Sequence, residues 1–270
     1  MPEERETLSF DAPSTIEIAG DDGPPSTPKD AATVMLVRDT GAGIEVFLQR
    51  RVAAMEFAAG MTVFPGGGVD KRDADVSISW AGPSPEQWAE WFSCEVSVAR
   101  ALVCAAVRET FEESGVLLAG TQDTVLEDTG PYQDVRQRLV SREVSLAGFL
   151  AKAGLTLRAD LLRPWANWLT PPQEGRRYDT RFFAAALPVG QRADGLTTEA
   201  ESSGWQRPED AMADARDGRS VLMPPTWITL TELAEFATVE DALASEREIS
   251  KIMPSLVRDG DQVRVVVEKP

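Results

Sequence analysis

The octet RETFEESG, Arg108 to Gly115, sets an arginine and three glutamates in one short run of helix. Glu109, Glu112 and Glu113 stand at i, i+3 and i+4, so they share a helical face. Like charges at those spacings repel. Acidic groups also suit helix N-termini, yet these lie in closing turns, where the helix dipole opposes them. Gly115 follows as a stop signal, where lysines would have offset the cost. A solvated acidic face is the commoner fate of such a cluster. A divalent cation shared by two or three carboxylates accounts for both penalties, and magnesium held this way bridges to phosphates.

Around the octet, VSVARALVCAAVRETFEES (96–114) reads as one helix, with Val98, Leu102, Ala105, Ala106 and Phe111 on its buried face. Upstream, strands are expected at 31–39 and 44–51 around the turn TGAG, then at GMTVFPGGGVD (60–70), an apolar strand ending in three glycines and an aspartate. A loop over 71–83 leads to a helix with Ser84 as N-cap and Pro85 at its first position. Downstream, VLLA reads as a strand and 131–163 as helical; WANWLT and TRFFAAALP read as strands and 190–204 as a polar loop. Helices follow from Pro208, in PPTWITLTELAEFA and near 239–252, before a last strand, QVRVVVEK. Residues 1–30 are acidic and rich in Pro, Ser and Gly, a mobile tail in which IEI marks a short strand. Interleaved strands and helices make the class α/β or α+β, with one domain over 31–270.

Composition removes whole classes of function. A formal net charge of −17 leaves no basic face for nonspecific nucleic-acid or anionic-membrane binding. The sequence has no histidine, which excludes Ser-His-Asp and Cys-His catalysis and every histidine metal site. Its two cysteines, Cys94 and Cys104, are too few for a four-cysteine zinc site and read as reduced core thiols. Metal chemistry would rest on oxygen ligands, which favours magnesium, manganese or calcium. No run approaches the ~18 apolar residues of a membrane span and the N-terminus is too acidic for a leader, so a cytoplasmic protein is expected.

RETFEESGV matches the Nudix-box core R-E-U-x-E-E-x-G-U, with Thr110 in the usually aliphatic position, and FPGGG (64–68) resembles the glycine loop that opens the box. The chain therefore resembles a Nudix hydrolase. Its box is split: counted from Gly67 the arginine belongs at 81 but stands at 108, an excess of 27 residues. The first box glutamate falls on Asp73 by forward counting and on Arg100 by backward counting, so Asp70, Asp73 or neither takes its place. A split box with VFPGGGVD before it is similar to the branch that includes the peroxisomal coenzyme A diphosphatases. WLTPPQEGRRYDTRFFAAALP, SGWQRPEDAM and LMPPTWITLTELA extend that similarity over about 31–265.

The resemblance implies an α/β/α sandwich with a mixed sheet, a helical insertion in the box at about 71–98, and extra C-terminal helices. It implies metal-dependent hydrolysis of a P–O–P bond in a nucleoside diphosphate derivative. Coenzyme A or acyl-coenzyme A is the first substrate class, ADP-ribose or NADH the second, and a catalytically silent nucleotide-binding module the alternative. Glu109, Glu112 and Glu113 would hold Mg²⁺ or Mn²⁺, Arg108 would orient a box glutamate, and Gly66 and Gly67 would let the backbone pass close to helix and ligand. A histidine often seen before the box in coenzyme A pyrophosphatases is missing.

Arg176, Arg177 and Arg181 lie within six residues and suit phosphate oxygens, or else pair with neighbouring acids. A general base is sought among Glu174, Glu199 and Glu201, with Glu201 placed first. Trp165, Trp168 and Trp205 are core residues more readily than stacking platforms for adenine. Trp88 and Trp91 lie in the insertion, either over the site or in a homodimer contact.

Overall fold

The structure, a computed structural model, describes residues 7–11, 24–53, 58–260 and 262–268. In chain order the strands are β1 (Thr7–Asp11), β2 (Lys29–Thr40), β3 (Gly43–Arg51), β4 (Thr62–Val63), β5 (Gly66–Gly68), β6 (Trp80–Ala81) and β7 (Ala119–Gly120). They continue with β8 (Thr156–Arg158), β9 (Arg163–Leu169), β10 (Tyr178–Ala186), β11 (Ala200–Gln206), β12 (Lys251–Ile252), β13 (Ser255–Asp259) and β14 (Gln262–Glu268). The helices are α1 (Pro85–Phe92), α2 (Val96–Ser114), α3 (Gln133–Val140), α4 (Leu146–Ala153), α5 (Pro208–Arg216), α6 (Pro224–Leu233) and α7 (Val239–Ala244).

Alternation along two strands divides the molecule into layers. In β2, Ala32, Val34 and Leu36 face one core while Met35 and Val37 face the other; in β10, Phe183 and Ala185 oppose Phe182 and Ala184. This period of two is what a sheet buried on both faces requires. The first face receives α1, α2, α3 and α4, and the second receives α5, α6 and α7. The sheet between them runs β11-β3-β2-β10-β9-β12, with β4 paired to β3 and β5 to β2. It is mixed, because β10 runs parallel to β2 and β12 to β9 while the other pairs are antiparallel. The chain is an α/β/α sandwich with a mixed sheet, as expected.

Helix α2 starts and stops where the sequence places it, and Gly115 caps it in the left-handed region (φ 75°) with its N–H on the Phe111 carbonyl at 3.0 Å. It is buried almost all round, not on a single stripe. Trp88 of α1 is fully buried and lies 5.4 Å from Phe183 on the sheet. The insertion helix is thus packed into the first core. Trp165 and Trp168 are buried, and Trp205 meets Phe47 at 5.5 Å, so all three tryptophans belong to the packing.

Several local expectations are corrected. The helical stretch expected over 131–163 ends at Ala153, where Gly154 turns left-handed (φ 66°) and β8 and β9 follow. The last helix stops at Ala244, short of 252, and the polar loop over 190–204 gives way to β11 at Ala200. Of VLLA, only Ala119 is in a strand, although Val116–Leu118 are fully buried. The 71–83 segment holds a 3₁₀ turn, Lys71–Ala74, and β6. Within 1–30, Thr7–Asp11 pairs with β14, while IEI (16–18) lies outside the described residues. Both cysteines are free.

Candidate active site

Arg108 is the hub of the cluster. Its guanidinium is buried (9% exposed) and forks onto Asp73 (2% exposed), with Nε donating to Oδ1 at 2.9 Å and Nη2 to Oδ2 at 2.8 Å. The remaining N–H groups reach the Gly68 carbonyl at 3.0 Å, Glu109 Oε1 at 2.7 Å and Glu112 Oε1 at 3.4 Å. One arginine therefore ties the glycine loop, the 3₁₀ turn and two box glutamates into a single unit. Bidentate charge-assisted pairs of this kind fix geometry as well as energy.

Of the two aspartates considered for the first box glutamate, Asp73 is the one that meets Arg108, while Asp70 pairs with Arg72. Asp73 also accepts the Asp70 N–H at 2.8 Å, while Asp70 accepts the Arg72 N–H at 2.9 Å, so the 3₁₀ turn carries a reciprocal cap. Forward counting from Gly67 identifies Asp73. Backward counting fails because the extra residues enter after it.

Glu113 is held differently. Its Oε2 accepts the Gly66 N–H at 2.8 Å and a hydrogen bond from Gln49 Nε2, while its Oε1 is buried with no hydrogen-bond partner. Gln49 went unnoticed in the sequence. Its signal is parity, because residue 49 of β3 shares the face of Phe47, which turns toward α2. The glycines have steric reasons of their own. A Cβ on Gly67 would stand 2.6 Å from Glu109 Oε1, and one on Gly66 2.5 Å from the Ala32 carbonyl oxygen.

The helix terminus is less unfavourable than the local sequence suggests. Arg136 of α3 is fully buried, donates from Nε to the Glu112 carbonyl at 3.0 Å and pairs with Asp194 at 2.8 Å. A cation from another element thus sits at the C-terminal end of α2. Thr110 is accommodated in an apolar position because its hydroxyl donates to the Ala106 carbonyl at 2.7 Å.

Burial raises the carboxyl pKa of Glu109, against the opposing charge of Arg108, and raises that of Glu112 as well. Glu113 is pushed well above the usual carboxylate range, first by burial and then by the charge of Glu109. Among the described residues no three acidic or sulfur groups converge as a preformed metal cluster. Glu109 and Glu112 lean on Arg108, and Glu113 leans on Gln49 and the glycine loop. The donor set nevertheless fits a hard divalent cation: its ligands are all carboxylate oxygens, one buried oxygen has no partner, and the crowding is what a cation relieves.

These groups lie in a cleft of about 790 Å³, within the usual range for small-molecule sites. The glycine loop and the glutamates form one part of it, and Phe64, Trp168 and Phe182 supply apolar wall. Glu174 and Glu199 also line it; burial pushes the Glu174 carboxyl up to about 7, and Glu199 pairs with Arg51 at 3.1 Å. Glu201, placed first as a base, is not in this lining and faces Arg50 at 3.8 Å.

The arginine trio does not converge on the cleft either. Arg177 donates to the carbonyls of Thr170 and Ser26, each at 3.0 Å, and Arg181 is buried against Asp30 at 2.8 Å and Asp179 at 3.1 Å. Arg176 is exposed and is not part of the lining. The cations that do line the cleft are Lys29, Arg51, Lys71, Arg72, Arg108 and Arg142. No helix among the described residues is long and apolar enough to cross a membrane.

The model of the NUDT19 Nudix domain family matches residues 93–233. Acyl-coenzyme A diphosphatase NUDT19 of Xenopus laevis is 26% identical over 235 residues, which cover 73% of this chain and 61% of the frog protein. The human protein of the same name is 29% identical over 151 residues, covering 52% of this chain and 40% of its own length. The chain thus spans less than two thirds of either relative. Among solved structures, a NUDIX hydrolase from Alicyclobacillus acidocaldarius superposes with a TM-score of 0.72 at 27% identity, covering 83% of this chain and 98% of its own. These relatives overturn the cytoplasmic assignment, because NUDT19 is the name of the branch that the split box resembles, the branch of the peroxisomal enzymes. Acidic composition and reduced thiols do not distinguish one reducing compartment from another.

Proposed function

This chain belongs to the Nudix hydrolases, in the NUDT19 Nudix domain family, and from that premise we propose that it hydrolyses the diphosphate of coenzyme A or an acyl-coenzyme A. The observation that carries the reading is the buried Arg108–Asp73 pair, which fixes Glu109 and Glu112 beside the glycine loop. A binding module has no use for three crowded acids held at that expense of desolvation. Intact acids therefore favour turnover over silent binding.

Each part of the site has a task that its contacts support. Glu109, Glu112 and Glu113 would hold Mg²⁺ or Mn²⁺, which when bound neutralises diphosphate charge and lowers the pKa of a bound water. Arg108 orients two of those carboxylates and opposes the rise that burial imposes on their pKa, and Asp73 keeps Arg108 in place. Gln49 and the Gly66 N–H fix one oxygen of Glu113 and leave the other free to ligate. Gly67 lets the loop pass against Glu109 without a side chain between them. Glu174 and Glu199 are the cleft acids from which a base would come, and Glu174 has its proton affinity near neutrality.

The test is to incubate the purified protein with coenzyme A, acetyl-coenzyme A, ADP-ribose and NADH, with Mg²⁺, Mn²⁺ or EDTA, and to weigh the products. Metal-dependent release of 3′,5′-ADP and 4′-phosphopantetheine from coenzyme A is the expected result. Cleavage of only ADP-ribose or NADH would keep the reaction and discard the substrate. If nothing were cleaved while nucleotide still bound, the module reading would replace this one.

A further inference from the structure

Most carboxylates near the glycine loop already have a cation, and among the described residues the pairing leaves three of the cleft's cations over, Lys29, Lys71 and Arg142, of which the last two come from adjoining segments. Asp70 is taken by Arg72, with Nε and Nη2 each at 3.0 Å, and Asp73 is taken by Arg108. Arg72 Nη1 also donates to the Arg142 carbonyl at 3.0 Å and to the Val144 carbonyl at 3.3 Å. Those bonds stitch the 3₁₀ turn to the bend between α3 and α4. The acid of that bend, Glu143, pairs with Arg138 at 3.1 Å.

Lys71 and Arg142 thus stand on two adjoining segments. Both are exposed and both line the cleft. Neither side chain has a hydrogen-bond or ion-pair partner among the described residues. Arg142 is moreover held at φ 61°, a backbone conformation that arginine disfavours, with its N–H on the Leu139 carbonyl at 2.8 Å. In a chain of net charge −17, two cations with no partner among the described residues, on adjoining segments that line the same cleft, suit an anionic occupant.

We infer that Lys71 and Arg142 form a subsite for a phosphate monoester that the substrate carries apart from the diphosphate being cleaved. A monoester is close to dianionic at neutral pH, and an arginine fork with a lysine point charge matches it. Such a group is also best kept away from the three glutamates. The inference rests on the diphosphatase reading and refines it. Coenzyme A bears a separate 3′-phosphate, whereas ADP-ribose and NADH bear none, so these two residues would select between the substrate classes.

The experiment compares coenzyme A with dephospho-coenzyme A, which has the same diphosphate and lacks the 3′-phosphate. Lys71→Ala and Arg142→Ala are each expected to raise KM for coenzyme A about tenfold, the loss of one charge-assisted contact, and to leave kcat unchanged. Neither should alter KM for dephospho-coenzyme A. Lys71→Arg and Arg142→Lys should restore most of the affinity, and Lys152→Ala, on the exposed side of α4, should change nothing. Equal KM increases for both substrates would reduce the pair to general electrostatic steering and overturn the inference, with the reaction still standing. If neither substrate is cleaved, the diphosphatase reading fails on its own, and the subsite is judged by calorimetry with 3′,5′-ADP and 5′-AMP. Tighter binding of 3′,5′-ADP that disappears in Arg142→Ala supports the subsite; equal binding overturns it.

Discussion

Replacing Asp73 by asparagine tests whether one buried ion pair holds the site together. Asp73 and Arg108 are 2% and 9% exposed, so water screens their contact little. Removing one partner of a buried pair costs about 3–5 kcal/mol, because the other charge stays buried. Here Glu109 and Glu112 still face Arg108, and the amide keeps one acceptor oxygen, which sets the expectation at the lower end, about 3 kcal/mol. For a chain of this size ~2–4 °C of melting temperature accompanies each kcal/mol, so the variant should melt roughly 6–12 °C lower. Urea unfolding of wild type, Asp73→Asn and Asp73→Glu supplies the free energies directly. The Glu variant restores the charge at the box position and should recover most of the loss, less a penalty for one added methylene. Turnover should fall in Asp73→Asn even where the protein is folded, because Arg108 loses its fixed point. A loss below about 1 kcal/mol with unaltered turnover would refute the reasoning, since Arg108 would then be anchored by the glutamates alone.

Other perturbations follow from the same contacts. Glu112→Gln keeps the shape and removes a charge, so metal-dependent turnover should drop at least ~100-fold while calorimetry still detects nucleotide binding. Gly67→Ala places a methyl 2.6 Å from Glu109 Oε1, and the displacement should lower kcat and cost about 1–3 kcal/mol in urea titration. The Asp70 carboxyl lies well below its ordinary value of 3.8 because Arg72 donates to it, so its contribution is present above that value and lost as pH falls below it. Asp70→Asn should therefore be less stable than wild type by about 1 kcal/mol at pH 7, the gap closing when urea midpoints are measured toward pH 2. Burial pushes the Cys104 thiol up to about 12 and also raises Cys94, so a chromogenic disulfide reagent at pH 7.5 should titrate Cys104 only after unfolding.

What the sequence showed and what it hid divide along a physical line. Helix α2, its glycine cap, the strand pair before it and the glycine loop depend on local periodicity and turn chemistry, and each stands where those signals put it. The cation census of the cleft depends on which arginine meets which acid across the fold. Arg181 was spent on Asp30, 151 residues away in sequence, while Lys71 and Arg142 carry no motif at all. The helix ends misjudged at 153 and 244 failed for another reason. An amphipathic stretch does not say where a strand claims the chain, and at the first of these ends the local stop signal is Gly154.

The split box resolves into a statement about chain topology. Asp73 must reach Arg108, and it does so because the 3₁₀ turn follows β5 almost at once, before the inserted residues begin. The insertion then leaves from Asp75 and returns at the start of α2, carrying α1 onto the sheet face beside Phe183. An excursion placed between the anchor and its arginine disturbs the site only if it pulls the two apart. Lengthening such a loop adds little closure entropy, since the cost grows only with the logarithm of its length. Burying Trp88 and Phe92 at 0% and 2% exposure returns more than that, at about 1.5–3 kcal/mol for each large apolar side chain. The same excursion explains how the box tolerates its break: both halves are held by the Arg108 fork, so their separation in sequence has no counterpart in space.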